Sequence, residues 1–321
     1  MLLSEAIERL VIATQADGLS PNTTDGYRRK LKPLLDFLGD VPVEEITTDD
    51  LRRYVAYLRG RTTLYPCHPH HKERKGTLSL ATINGHVRAF KRLFNFLEAE
   101  GVIESAPSQK IKTPRPPRHE PKSADLRDAE AMLGAISGDT PQDRRDRAII
   151  LFLIDTGCRV GGLCRLKLSD IDLEKGEALV TEKGEKARIV FFRPETAEAL
   201  RAWLEVRPND QGDWLFVSLG NKARGALSVG AVEQVLRRRA QKAGVKGRVN
   251  PHAWRHAFAR RYICKGGDLA TLSDLMGHAS LEITKASYAI FTKEELREKH
   301  QRYSPVTELK VVRSSRDDGT E

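Results

Sequence analysis

Glu177-Ala178-Leu179-Val180-Thr181-Glu182-Lys183-Gly184-Glu185-Lys186-Ala187-Arg188-Ile189-Val190-Phe191-Phe192 is the stretch that decides the fold. Its flanks, Glu177–Thr181 and Arg188–Phe192, are rich in β-forming residues, and the charged, glycine-bearing middle is turn-like. The pattern predicts a hairpin with Lys183 near its tip. Helical patterns surround it. They are expected near 124–136 and 141–155 before the hairpin, and over 195–205, 229–243, 252–264, 268–276, 281–291 and 293–302 after it. The 141–155 segment is apolar on all sides, as a buried core helix is. Trp214-Leu215-Phe216-Val217 is expected to add a short strand. The second half is therefore a mixed α+β domain, in a chain that is mainly α with a small antiparallel sheet.

Towards the N-terminus the pattern is helical throughout the first 110 residues. Ser20-Pro21 supplies an N-cap and a proline at the first helical position, where its missing N–H costs nothing. Tyr27, Leu31, Leu34, Leu35 and Leu38 follow at helical spacing. Thr47 or Thr48 opens a helix striped by Leu51, Tyr54, Val55 and Leu58. A third begins near Ser79, and its Leu80, Ile83, Val87, Phe90, Phe94 and Leu97 alternate steps of three and four. Between the stripes stand Arg28, Arg29, Arg52, Arg53, Arg88, Lys91 and Arg92. Such a face is either simply solvated or a grip for a nucleic-acid backbone. From Lys110 to Lys122 four prolines and five basic residues against one acid prevent a helix and predict an extended basic linker. The expected organisation is a helical domain over 1–109, the linker over 110–122, a second domain over 123–305 and a polar tail over 306–321.

At 321 residues, with 40% apolar and 31% charged residues, the chain has enough apolar surface for two globular cores and is not a disordered protein. A net charge of +10 favours a polyanionic partner, whereas 6% aromatics argue against a base-stacking platform. The four cysteines form no CxxC pair and no disulfide framework. The start of the chain lacks a signal-peptide pattern, and the longest apolar run, Ala148 to Ile154, is too short for a bilayer. A cytoplasmic protein with reduced thiols and no membrane partner is expected. Cys67, His68, His70 and His71 are interrupted by Pro66 and Pro69 with no second Cys/His pair nearby, so they are read as a polar insertion and not as a metal site.

Chemistry concentrates in the second half. Thr156-Gly157-Cys158-Arg159-Val160-Gly161-Gly162 turns out of the buried helix; its glycines permit close backbone approach, and Arg159 can hold phosphate oxygens bidentately. A lone arginine is more often a surface ion pair. His252 and Arg255 share a helix face three residues apart, so the pair can neutralise a phosphate and hydrogen-bond to it. His256, next to Arg255, is expected to point elsewhere and to be a structural histidine. Cys158 is read as a small buried filler. Tyr288 is one of seven tyrosines; a phenol, with a pKa of about 10, needs cations around it to attack phosphorus, and at helical spacing a tyrosine is more often core.

Taken together, these segments resemble the tyrosine recombinases, the phage-integrase family of site-specific DNA recombinases. The resemblance runs from Ser20-Pro21 to Tyr303-Ser304-Pro305. It is carried by Thr156-Gly157-Cys158-Arg159, by the Glu182–Arg188 turn, by His252-Ala253-Trp254-Arg255-His256-Ala257-Phe258-Ala259, and by the run from Leu275-Met276-Gly277-His278 to Tyr288. It implies a SAM-like helical core-binding domain ahead of a recombinase catalytic domain, closing together around duplex DNA. By position it assigns the catalytic arginines to Arg159 and Arg255, the hairpin lysine to Lys183, the histidines to His252 and His278, and the nucleophile to Tyr288. The family usually carries glutamate three residues after the first arginine, where this chain has Gly162; Trp254 stands where leucine is usual.

The activity implied is cutting and rejoining of DNA strands through a 3′-phosphotyrosyl link, in integration, excision, resolution or transposition of DNA elements. The resemblance implies no cofactor, metal or ATP. It implies a tetramer on two sites, a monomer or weak oligomer when free, and a C-terminal helix that packs into a neighbouring protomer. The competing readings are a DNA-binding protein of this fold that has lost catalysis, supported only by Gly162, and a type IB topoisomerase that relaxes supercoils.

Overall fold

The computed structural model of the chain describes residues 1–64, 74–114, 123–182, 187–220, 224–277, 280–288 and 293–304. It divides into two compact units, Met1–His119 and Glu120–Glu321.

The first unit is built from α1 (Leu3–Ala16), α2 (Pro21–Leu38), α3 (Thr48–Gly60) and α4 (Leu80–Ala99), with β1 (Thr63–Leu64) paired antiparallel to β2 (Arg74–Lys75). Each start has a local cause. Pro21 opens α2, Thr47 accepts from the Asp50 N–H to cap α3, and Ser79 accepts from the Thr82 N–H to cap α4. The stripes expected of these helices meet in one core: Leu31, Leu34, Leu51, Tyr54, Leu58, Val87, Phe90, Phe94 and Leu97 are fully buried, together with Leu3 and Leu10 of α1. Leu80 departs from its stripe and is exposed, because the first position of α4 overhangs the core. Each fully buried side chain of this kind contributes about 1.5–3 kcal/mol. The first 110 residues are not wholly helical, since the β1–β2 pair flanks residues 65–73. Cys67, His68, His70 and His71 lie outside the described residues. The start of the expected linker belongs to this unit: Ile111 is buried in its core, and Asn84 Nδ2 donates to the Pro114 carbonyl at 2.5 Å. Residues 115–122 lie outside the described residues.

In the second unit come α5 (Leu126–Gly134), α6 (Pro141–Thr156) and α7 (Val160–Arg165). Next is an antiparallel sheet of β3 (Ile171–Asp172), β4 (Glu177–Thr181) and β5 (Ala187–Phe191), in that spatial order. Then follow α8 (Pro194–Val206), α9 (Val229–Lys242), α10 (Pro251–Cys264), α11 (Leu269–Met276), α12 (Leu281–Tyr288) and α13 (Lys293–Tyr303). The hairpin is as expected, with Val180 opposite Arg188 and Ala178 opposite Val190. Ala178, Val180 and Val190 face the core, while Leu179, Ile189 and Phe191 face outwards, as the two-residue period of a strand requires. β3 was not anticipated. Trp214–Val217 forms no strand; it makes only isolated bridges, Lys167 to Trp214 and Val217 to Ala226, because its neighbours supply single residues and no ladder.

α6 is the buried helix the sequence suggests. Thr140 and Asp143 cap it reciprocally, and Ala148, Ile149, Ile150, Phe152 and Leu153 lie in the core. Its one buried carboxylate, Asp146, is met by Arg145 at 3.0 Å, Arg238 at 2.9 Å and Arg239 at 2.7 Å, which ties α6 to α9. Among the described residues no helix is long and apolar enough to cross a membrane.

Candidate active site

Three helix ends converge at this site. α6 stops at Gly157, which has a left-handed φ of +57°, and a Cβ there would stand 2.6 Å from Phe258 Cδ1. Glycine is required on both counts. The next turn leads to Arg159, the N-cap of α7. α10 begins with Asn250 capping the Ala253 N–H and Pro251 in the first turn. Trp254 is buried and donates its indole N–H to the Val249 carbonyl at 3.0 Å. α11 ends at Gly277, again left-handed with φ +63°.

Arg255 is almost wholly buried, its side chain 4% exposed. Its Nη1 donates to the Gly157 carbonyl at 2.8 Å and its Nη2 to the Met276 carbonyl. Arg188 Nη1 donates to the Leu275 carbonyl at 2.5 Å, and Arg159 Nη1 makes a longer contact of 3.5 Å with the Gly277 carbonyl. The last carbonyls of a helix lack intrahelical partners and carry its negative pole, so guanidiniums are the natural groups to satisfy them. α11 is thus moored at its end by three arginines from three elements.

Glu182 sits at the centre of these arginines. Its side chain is 5% exposed, and it pairs with Arg159 through Oε2. Its Oε1 is 3.1 Å from Arg188 Nη2 and 3.8 Å from Arg255 Nη1. Arg159 remains 42% exposed and Arg188 14%. Three guanidiniums against one carboxylate, among the described residues, leave an excess of two positive charges beside an accessible arginine. Such an arrangement can receive a phosphoryl group.

His252 lies on the same helix face as Arg255. Partial burial, with Arg255 and Arg159 nearby, holds its pKa below the ordinary histidine value. His256 does not point elsewhere as expected. Four residues from His252, it sits one helical turn away on that face, and the two Nε2 atoms are 3.0 Å apart. Burial, then His252 and Arg255, pushes His256 down to about 4. Both rings are therefore neutral near pH 7, and one donates its N–H to the lone pair of the other. Cys158 is buried, and burial pushes its thiol up, away from reactivity.

Of the residues singled out in the sequence, Arg159, His252 and Arg255 are brought into one cluster. Lys183 and His278 lie outside the described residues. Tyr288 ends α12, a helix packed against α10 and α11, and its side chain lies outside what is described. Glu182 and Arg188 were missed as site residues. The signal for both was strand alternation: Val180, Glu182, Arg188 and Val190 share the parity that faces the core.

The phage integrase family model matches residues 123–295, and the model of the phage integrase N-terminal SAM-like domain matches residues 13–101. The chain belongs to the phage integrase family. Tyrosine recombinase XerC of Alcanivorax borkumensis is 33% identical over 273 residues, 83% of this chain and 83% of that protein. Tyrosine recombinase XerA of Thermococcus kodakarensis is 31% identical over 307 residues, 95% of this chain and 98% of that protein. Among solved structures, the Tn1549 transposon integrase in complex with a circular intermediate DNA has a TM-score of 0.73 at 20% identity, covering 94% of this chain and 99% of that one. This chain is a tyrosine-type recombinase, an enzyme of DNA strand cleavage and religation.

Proposed function

We propose that the chain recombines duplex DNA at a specific site, with Tyr288 as nucleophile and Arg159, Lys183, His252, Arg255 and His278 as the groups that act on the scissile phosphate. The observation that carries this is the convergence of Arg159 and Arg255 on one carboxylate, with Arg255 fixed at both Nη atoms by the Gly157 and Met276 carbonyls. A guanidinium held this way needs no reorganisation as charge builds on the phosphorus.

In the cleavage step Tyr288 Oη forms a bond to phosphorus and the bond from phosphorus to the 5′-oxygen breaks. The phenol proton passes to a histidine; His252 suits this because its lowered pKa keeps it unprotonated near neutrality. The departing 5′-oxygen takes a proton from Lys183. Arg159 and Arg255 balance the negative charge of the five-coordinate phosphorus. Attack by a 5′-hydroxyl from another strand reverses these steps, releases the tyrosine and reseals DNA with no external energy source.

Residues 1–109 serve as the domain that grips the duplex, and 110–122 as the basic connection to the catalytic domain. Within the grip Arg28, Arg52 and Arg53 are already paired, with Glu8, Asp49 and Asp50 respectively. Exposed Arg29, Arg88 and Arg92 are therefore the better candidates for phosphate contacts. The working assembly is a tetramer on two sites, and the compartment is the cytoplasm. The test is trapping on nicked suicide duplexes drawn from the gene's own flanks. Wild type forms a covalent adduct; Tyr288→Phe binds the same duplex and forms none. Adduct at wild-type level in that variant removes Tyr288 from the mechanism.

A further inference from the structure

We infer that Glu182 is the positioning residue of this active site: from the hairpin it fixes the direction of Arg159 and places a carboxylate beside Arg255, next to Gly162. The inference rests on the reading that those two arginines hold the scissile phosphate.

Three observations support it. First, the contacts are distributed, not local. One carboxylate oxygen takes Arg159, from the turn before α7, while the other lies 3.1 Å from Arg188 on β5 and 3.8 Å from Arg255 on α10. No other carboxylate among the described residues joins arginines from three elements at this site. Second, Glu182 is buried by register. It follows Val180 by two residues, so the strand period turns it to the core face, against the cations. A carboxylate in that position is costly unless paired, and losing it removes a negative charge from beside buried Arg255. Third, Glu182 stands beside the position where the family usually carries glutamate. Gly162 packs against β4 so closely that a Cβ there would run into Val180 Cγ1, and that Cβ would be in ordinary contact, 3.8 Å, with Glu182 Cγ. The carboxylate that α7 lacks at Gly162 is thus supplied across the interface by the strand.

Glu182 also reaches the end of α11. A Cβ on Gly277 would stand 2.7 Å from Arg188 Cδ and Nε and 3.6 Å from Glu182 Oε2. The same charge cluster therefore holds the segment that leads directly into His278. Glu182 acts on the phosphate through the arginines.

The test compares Glu182→Gln, which keeps the size and removes the charge, with Glu182→Ala, Arg159→Ala and the double variant Glu182→Ala/Arg159→Ala. Single-turnover cleavage is measured on the duplex that traps wild type, with affinity for that duplex and thermal melting measured in parallel. Independently of any DNA, ¹⁵N spectra of the arginine guanidinium groups report whether Arg159 is held. Both Glu182 variants are expected to bind DNA within threefold of wild type yet cleave about a hundredfold more slowly, the scale of one lost preorganised donor. The double variant should be no slower than Arg159→Ala alone, and the protected Arg159 guanidinium signal should be lost in Glu182→Gln while Arg255 stays held by its two carbonyls. Cleavage by both Glu182 variants within threefold of wild type overturns the inference, as do losses that multiply in the double variant or unchanged arginine spectra. If Arg159→Ala itself cleaves normally, the assignment of the phosphate clamp fails; if only Arg159→Ala is slow, the clamp stands and the role of Glu182 falls.

Discussion

His256 offers a quantitative test of how burial sets charge beside the reacting phosphate. In the folded protein its pKa is pushed from the ordinary 6.5 to about 4, first by burial and then by His252 and Arg255. In the unfolded chain it returns to about 6.5. Between those two pH values the unfolded chain binds a proton that the folded one refuses, so acid favours unfolding there. Above pH 6.5 both states are neutral and His256 has no effect. Below it the folded state loses about 1.4 kcal/mol per pH unit until the folded pKa is reached. The full interval corresponds to about 3 kcal/mol, and about 2–3 kcal/mol after allowing for the part of the ring that reaches solvent. The assay is urea unfolding of wild type and His256→Gln from pH 4 to 8. Carboxylates that titrate in the same window do so in both proteins and cancel in the difference. The stability of His256→Gln relative to wild type should be constant above pH 7 and rise by that amount as pH falls from 6.5 to 4. Two parallel curves would show that the ring is not held neutral by its surroundings, and the account of a proton-accepting His252 beside it would weaken too.

Asp146→Ala removes the buried partner of Arg145 and Arg239. It should cost about 3–5 kcal/mol, the range for breaking a buried ion pair; calorimetry should show a melting temperature lower by roughly 6–20 °C, with cleavage by the folded protein unchanged. A variant that melts with wild type would show that Asp143 alone can hold Arg239. Gly157→Ala forces a Cβ to within 2.6 Å of the Phe258 ring at φ +57°. Backbone strain of about 1–2 kcal/mol adds to overpacking of about 1–3 kcal/mol. Because the Gly157 carbonyl receives Arg255 at 2.8 Å, single-turnover cleavage should fall along with the urea midpoint. A lower midpoint with an unchanged cleavage rate would separate that carbonyl from the site.

Periodicity was enough for the helices. The steps of three and four in Ile83, Val87, Phe90, Phe94 and Leu97 specify one buried face whatever it packs against, and the Thr47, Ser79 and Asn250 caps act over three residues. The pairing of β4 with β5 was equally local, since the two strands are adjacent in sequence. Trp214–Val217 misled because an apolar run has the composition of a strand, and only partners distant in sequence decide whether a ladder forms. His256 was misjudged because adjacency to Arg255 was weighed and its four-residue spacing from His252 was not.

The sequence alone thus determined the kind of machine: helical faces, a hairpin and the ordered residues Arg159, Lys183, His252, Arg255, His278 and Tyr288, whose wording marks the family. Only the tertiary structure decided how its arginines are held. The Leu275, Met276 and Gly277 carbonyls take Arg188, Arg255 and Arg159, and Glu182 enters among these cations. The physical reason is range. Helix and turn preferences act over a few residues, whereas the energy of a buried charge depends on every group within a few ångströms, and here those groups come from positions 157 to 277.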